Sequence, residues 1–443
     1  MDRREEGVQA ENRKFMLKVI CSSRLLVALL MGFSCGLPLL LTITILQTWM
    51  KEKGIDLTLI GLTALFGLPY TVKFLWAPFL DRFTLPFLGR RRGWLMIAQA
   101  ALMLSIAGLG FSDPVNSPHM LVFAAFLVTF FSASQDIVVD AYRREDLSDK
   151  ELGLGSSLYV NGYLVAARLL VAGGGLIMAD HMPFSMVYLI MAAFMLPGIV
   201  TTLLAREPVV TAGTPKTIRE AVFNPLQEYF SRNGALWILA FILMYKIGDT
   251  MANAITIPFY LDTGFSKTEI GTVVKFFGFW ATIAGTLTGG LLMFRLGINR
   301  SLWVFGFLQA ISTAGFAALA HIGYSIPALS AVIAFENLSS GMGTAAYMAF
   351  MASITDKRFT ATQYALLTSL MGVPRVLASA PTGLLAKNLG WESFFIACTL
   401  IAISGMLLLL KFAPWNLKGG EKAAFDKSDG IFIIHRQKKA KPH

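Results

Sequence analysis

Residues 70–94, YTVKFLWAPFLDRFTLPFLGRRRGW, carry the two features on which the fold turns. The stretch starts inside an apolar run that holds one lysine, Lys73. It breaks at Asp81-Arg82 and ends in the basic cluster Gly89-Arg90-Arg91-Arg92-Gly93. A cation in a membrane core costs about 3 kcal/mol, so a lysine kept there marks a function or a wet cavity. A basic cluster directly after an apolar run marks the cytoplasmic side of a membrane, where Lys and Arg are retained during insertion.

The surrounding chain fits a membrane. Its 443 residues are 55% hydrophobic and only 15% charged, with a mean hydropathy of +0.61, whereas soluble domains carry about 25% charged residues. Apolar runs of membrane-spanning length predict twelve helices, at 25–49, 58–80, 94–112, 119–139, 153–178, 184–204, 235–260, 269–292, 302–320, 327–353, 363–386 and 391–411. The net charge of +11 does not point to nucleic acid, because the excess lies in loops between apolar runs. An even number of spans puts both termini on one side, read as the cytoplasm. The loops on the opposite side then hold only Lys51, Lys53, Lys267 and Lys387 of the 38 Lys and Arg residues. The first apolar run, 25–49, is too long for a signal-peptide core and reads as an uncleaved span. Cys21, Cys35 and Cys398 are odd in number and widely spaced, which predicts neither a disulfide framework nor a metal site.

The organisation that follows is an all-α membrane protein. A cytoplasmic segment (1–24) precedes a six-helix bundle (25–204), a cytoplasmic linker with one amphipathic helix (205–234), a second six-helix bundle (235–411) and a basic cytoplasmic tail (412–443). The halves echo each other. Gly54-Ile-Asp-Leu-Thr-Leu-Ile-Gly61 matches Gly264-Phe-Ser-Lys-Thr-Glu-Ile-Gly271, and Asp81-Arg82 with Gly89-Arg90 parallels Phe294-Arg295 with Gly297 and Arg300. Two parallel six-helix repeats predict pseudo-symmetric bundles of a rocking transporter, with the site at their interface.

Nine ionisable residues fall in or at the edge of these spans: Lys73, Asp136, Asp140, Arg168, Lys246, Asp249, Lys275, Glu336 and Arg375. Only a shared interior cavity offsets their cost. Lys73 shares a helix face with Tyr70 and Trp76. It either meets an acidic sugar covered by those rings or snorkels to the nearby surface. Lys246 and Asp249 lie three apart, with Asn253 one turn on. Protonating Asp249 would free Lys246 for an anionic substrate; the alternative is a structural ion pair. Ser132, Asp136 and Asp140 form one stripe. Two carboxylates one turn apart repel, which suits a proton carrier at Asp136, while Asp140 is placed to pair with Arg143 or Arg144 in a gate. Glu336 has no cation on its own helix and must pair across helices or hold a proton. Arg168, Arg375 and Lys275 suit either carboxylate binding or interhelical clamps. An intramembrane enzyme is disfavoured. Asp136 and Asp140 sit on one helix rather than two, and His119, His181, His321, His435 and His443 all lie in loops or the tail.

The loop after the second span resembles that of the major facilitator superfamily, G-x-x-x-D-R-x-G-R-R. Asp81-Arg82 and Gly89-Arg90-Arg91-Arg92 match it, while Ala77 replaces a glycine and Phe294 replaces the acid of the second copy. Further strings resemble the anhydromuropeptide permease (AmpG) family: Lys73-Phe-Leu-Trp76-Ala-Pro78, Ser132-Ala-Ser-Gln135-Asp136, Tyr245-Lys246-Ile-Gly248-Asp249, Phe335-Glu336-Asn337 and Ala361-Thr362-Gln363-Tyr364. The resemblance implies the twelve-helix superfamily fold and a monomer in the bacterial inner membrane. It also implies proton-driven import of GlcNAc-1,6-anhydroMurNAc, with or without its peptide, for peptidoglycan recycling, which feeds β-lactamase induction in some bacteria. No cofactor is implied beyond the coupling proton. Substrate contacts are expected from Tyr70, Lys73, Trp76, Gln135, Arg168, Lys246, Asn253, Lys275, Trp280, Asn337 and Arg375. Proton coupling is expected from Asp136, Asp249 and Glu336, and a gate from Asp81, Arg82, Arg90, Asp140, Arg143 and Arg144. Import of another large anion, such as acetyl-coenzyme A, is the competing expectation.

Overall fold

The computed structural model describes residues 22–209, 217–232, 234–379 and 381–413, with the backbone of 423–425 and 432–434; the side chains of 57, 58, 218 and 375–377 are excepted. The N-terminal basic segment with Cys21, the linker residues 210–216, the Arg375 side chain and most of the basic tail lie outside the described residues.

Helices dominate. They are α1 (Ser23–Glu52), α2 (57–82), α3 (Arg90–Gly110), α4 (Pro118–Asp146), α5 (Leu152–Ala179), α6 (Phe184–Leu204), the linker helix α7 (Ile218–Ser231), α8 (Ala235–Asp262), α9 (Lys267–Leu296), α10 (Ile298–Ile322), α11 (Ile326–Ile354), α12 (Thr360–Leu377), α13 (Thr382–Leu389) and α14 (Trp391–Phe412). Among the described residues, nine are long and apolar enough to cross a membrane, and each of the twelve predicted spans has a helical counterpart. A two-stranded antiparallel hairpin, Ala423–Phe425 with Phe432–Ile434, follows in the tail.

The structure corrects the continuity of several spans. The predicted second span is a chain of short pieces: Leu57–Leu62, a 3₁₀ stretch Thr63–Gly67, Leu68–Val72, a 3₁₀ turn Lys73–Leu75, and Ala77–Arg82. Pro69 and Pro78 each stand in the first turn of a restarted helix, where the missing N–H breaks no bond but ends the preceding ladder. The predicted eleventh span stops at Leu377 and resumes at Thr382–Leu389 behind Pro381. Wider π turns interrupt α1 at Leu41–Ile45, α5 at Val165–Gly175 and α9 at Ile270–Phe277. The buried Tyr188 hydroxyl donates to the Leu41 carbonyl at the first of these, 3.0 Å away. A loosened turn thus satisfies a polar group where no water is available.

The repeat shows in the turns. Gly54 and Gly264 are left-handed (φ +76° and +98°), and they end α1 and α8 with the same bond pair: Gly54 N–H to Lys51 and Ile55 N–H to Met50, Gly264 N–H to Leu261 and Phe265 N–H to Tyr260. That is a Schellman cap, which a Cβ would strain.

By contact density the chain divides into two units, 1–222 with 352–369, and 223–351 with 370–443. The first therefore takes in the start of α12. In the first unit α1 lies along α5 and α3 along α4, around Leu41, Trp49, Ile106, Tyr188 and Met191. In the second, α14 packs on α10 and α8, around Phe259, Tyr260, Phe316, Phe394 and Phe395. Leu75, Leu104, Phe123, Leu204 and Leu400 face outward, as lipid-facing positions do.

Candidate functional site

Four of the five intramembrane cations sit where the helix is broken. Lys73 opens the 3₁₀ turn of α2, Arg168 lies in the π segment of α5, Lys275 in that of α9, and Lys246 at the break after Met244 in α8. Non-α turns recur at functional sites because they turn a side chain away from the packed face and free backbone groups. Arg168 and Lys275 are exposed, Lys246 half-buried and Lys73 buried.

In the second unit, Lys246 Nζ lies 3.3 Å from Asp249 Oδ2 and within 3.4 Å of Ser340 Oγ. Asn253 Nδ2 donates to Asp249 Oδ1 at 2.9 Å and to Glu336 Oε1 at 3.3 Å. Ser312 of α10 donates to Glu336 Oε2 at 2.5 Å. Three helices thus meet on one half-buried ion pair and a second, buried acid. Asn337 is turned elsewhere, accepting from Thr282 at 2.9 Å and donating to the Ile333 carbonyl at 3.0 Å, so it ties α11 to α9. Trp280 and Phe335 line an open apolar groove of about 530 Å³ between α9 and α11.

In the first unit, Lys73 faces Asp136 and Asp140 electrostatically. Tyr70 lies beside Ser132 and Asp136. Asp136 Oδ1, Ser132 Oγ and the Tyr70 hydroxyl are buried without a direct hydrogen bond. Trp76 is half-buried, its indole N–H on Ser134 Oγ at 3.0 Å and its ring 5.1 Å from Phe130. Gln135 is buried and donates to Ser34 Oγ and Cys35 Sγ of α1 at 3.3 and 3.2 Å.

The first unit's second polar centre lies where α2, α3 and α4 end or begin. Arg91, wholly buried, bonds Asp81 Oδ1 at 2.7 Å and Glu145 Oε1 at 2.6 Å. Arg90 also bonds Glu145, at 2.5 Å. Asp81 then accepts from the N–H of Thr362 and its hydroxyl, both at 2.8 Å, and from the N–H of Ala361 at 3.3 Å. A carboxylate there meets the unsatisfied N–H groups and positive dipole end of α12. Arg143 pairs with Asp140 at 3.0 Å, donates to the Tyr364 hydroxyl at 2.7 Å and lies 4.3 Å over the Tyr159 ring. Arg144 reaches Asp149 at 2.9 Å and the carbonyls of Ser353 and Thr355. Arg82, by contrast, stacks on Phe83 at 5.4 Å and is half-exposed.

Sequence reasoning missed Arg91, Glu145, Thr362, Tyr364 and Glu207. Glu207 caps α3, accepting from the N–H groups of Arg91 and Arg92 at 2.7 and 3.0 Å. Arg92 returns the bond to the Thr202 carbonyl at the end of α6, at 2.9 Å. The one local signal was Gly89, left-handed at φ +91°; a Cβ there would meet the Glu207 carboxyl at 2.7 Å.

The model of the Major Facilitator Superfamily matches residues 25–379 and 247–438. The chain is 42% identical over 397 residues to the Anhydromuropeptide permease of Escherichia coli K12, covering 89% of this chain and 80% of that protein. It is 29% identical to the Putative transporter AmpG 4 of Rickettsia conorii, covering 89% and 97%. In fold it is similar to the proton:xylose symporter XylE, with a TM-score of 0.67 at 13% identity over 88% of this chain and 95% of that one.

Proposed function

This chain belongs to the major facilitator superfamily, within its anhydromuropeptide permease family, and we propose that it is a proton symporter importing GlcNAc-1,6-anhydroMurNAc and its peptides. It is a multi-pass membrane transporter rather than an enzyme. In this reading it sits in the bacterial inner membrane with both termini in the cytoplasm. It works as a monomer and moves its cargo from periplasm to cytoplasm for cell-wall recycling, which feeds β-lactamase induction where that pathway exists.

The carrying observation is the near full-length likeness to the Escherichia coli permease. The chemistry supports it. A large sugar with a lactyl acid and an acidic peptide needs cations in a wet interior and aromatic faces for its rings. In the first unit Lys73 and Arg168 offer the first at helix breaks and Tyr70 the second; in the second unit Lys246 and Lys275 offer the first and Trp280 the second. Trp76 serves less directly, since its N–H is held by Ser134. Gln135 packs α4 against α1, and Asn337 packs α11 against α9. The Asp81–Arg91–Glu145 cluster, with Arg90, Arg143 and Arg144, is the gate, latched onto the start of α12.

Energised membrane vesicles are expected to accumulate labelled anhydromuropeptide and to lose it when a protonophore is added. Lys73→Ala and Lys246→Ala each remove a charge-assisted contact and are expected to weaken uptake by about tenfold or more. Undiminished uptake by both variants, or competition by acetyl-coenzyme A instead of the muropeptide, would overturn the reading.

A further inference from the structure

We infer that Glu336 carries the coupling proton, and that its load governs how firmly Asp249 holds Lys246. The inference rests on the symport reading above and assigns the proton to one side chain. Glu336 is 3% exposed. Among the described residues its oxygens are met by neutral donors only, Ser312 at 2.5 Å and Asn253 at 3.3 Å. The groups facing it are Asp249 and Tyr260 of α8, with Lys246 behind Asp249. From α10 comes the Ser312 hydroxyl, and α9 presents Thr282 to the neighbouring Asn337.

One amide group, Asn253 Nδ2, donates to both acids, to Asp249 Oδ1 at 2.9 Å and to Glu336 Oε1 at 3.3 Å, which makes them neighbours. Two neighbouring carboxylates, with the one ammonium bonded to Asp249, leave an uncompensated negative charge. A single proton shared by the acids removes it. Asp249 keeps its charge because Lys246 is bonded to it, so the proton resides on Glu336. Asn253 spans both acids and transmits the difference.

Coupling follows from charge alone. Without the proton, the two carboxylates outweigh the one ammonium, and no positive charge is left over for a substrate acid. With the proton on Glu336, the cluster is neutral, and Lys246, 17% exposed at its side chain, exchanges Asp249 for a substrate carboxylate at lower cost. One proton thus travels with one substrate charge, and no covalent bond changes except that to the proton.

Two readouts test this. In purified wild-type protein the infrared spectrum should show a protonated-carboxyl C=O band that shifts in D₂O and is absent in Glu336→Gln. In proteoliposomes Glu336→Gln, which keeps a neutral acceptor for Ser312, should exchange labelled anhydromuropeptide across the membrane near the wild-type rate. Its accumulation on a proton gradient should fall by about tenfold or more. Retention of the band in Glu336→Gln with loss in Asp249→Asn or Asp136→Asn, or gradient-driven accumulation at the wild-type level, overturns the assignment. If wild-type protein exchanges no anhydromuropeptide, the substrate reading fails while the band still decides the proton site. If Glu336→Gln does not fold, Ser312→Ala should shift the band frequency, and an unshifted band counts against Glu336.

Discussion

Replacing Arg91 with alanine is expected to lower the stability of the protein by about 3 kcal/mol or more and to reduce its yield in membranes severely. Arg91 is wholly buried between Asp81 and Glu145, whose side chains are equally enclosed. Removing it leaves Glu145 with Arg90 and leaves Asp81 with only the N–H groups and hydroxyl at the start of α12. An enclosed carboxylate without a cation is the costly species, so the loss comes from Asp81 more than from the missing contacts. The double variant Arg91→Met, Asp81→Asn removes one charge of each sign and leaves Glu145 paired with Arg90; it is expected to regain much of the stability, because a packed neutral pair costs less than a broken charged one. It should still transport poorly, since an amide at position 81 cannot serve the dipole of α12 as a carboxylate does. Thermal unfolding followed with a thiol-reactive dye on buried Cys35 and Cys398 measures the first effect, and vesicle uptake the second. Arg82→Ala is the control: that side chain is half-exposed against Phe83 and should cost well under 1 kcal/mol. Equal stability of Arg91→Ala and Arg82→Ala would show that the cluster carries no such weight.

The contrast between Arg82 and Arg91 also marks what could be read from the residues alone. The helical class and the apolar spans follow from composition, which is local and additive. So does the Lys246–Asp249–Asn253 alignment, because three and four residues are one helical turn. The partner of Asp81 is not local. Phe83–Gly89 reverses the chain and brings back the second arginine of a run of three, and nothing in that run distinguishes Arg91 from its neighbours. Glu145 lies in Arg143-Arg144-Glu145-Asp146, which reads as a solvated helix end, yet it is buried. Glu336 had no visible partner because Asn253 and Ser312 come from other helices. Gln135, Asn337 and Trp76 were legible as polar or aromatic groups within spans, but not in direction. Which face a helix turns to its neighbours depends on how those neighbours pack, and the π and 3₁₀ turns reset that phase midway. The glycines of Gly54 and Gly264 were legible as an echo, and their left-handed turns show why the echo needs glycine.

The largest packing effect is expected at Gly162, where α5 crosses α1. A Cβ there would fall on the Leu29 carbonyl oxygen and within 2.8 Å of the Phe33 nitrogen; one at Gly32 would fall on the Tyr159 carbonyl, and one at Gly36 on that of Tyr163. Each obstacle is backbone, so no rotamer change relieves it and the two helices must separate. In a membrane that separation is not opposed by a hydrophobic force between helices. Their association rests on the close van der Waals contact itself and on Cα–H to carbonyl contacts that exist only at this spacing. Gly162→Val is therefore expected to cost at or beyond the top of the usual overpacking range of about 1–3 kcal/mol, with loss of folded protein from the membrane. Gly162→Ala asks for less separation and should affect function before fold. Tyr159 lies on the same crossing with its ring 4.3 Å under the Arg143 guanidinium, so prying α5 outward takes that ring from a residue of the proposed gate. A folded Gly162→Ala protein with reduced uptake is the expected result. Gly61→Ala and Gly271→Ala, at positions with nothing within 4 Å, should keep both abundance and uptake. If Gly162→Val matches them in abundance and thermal stability, α1 and α5 do not cross this closely.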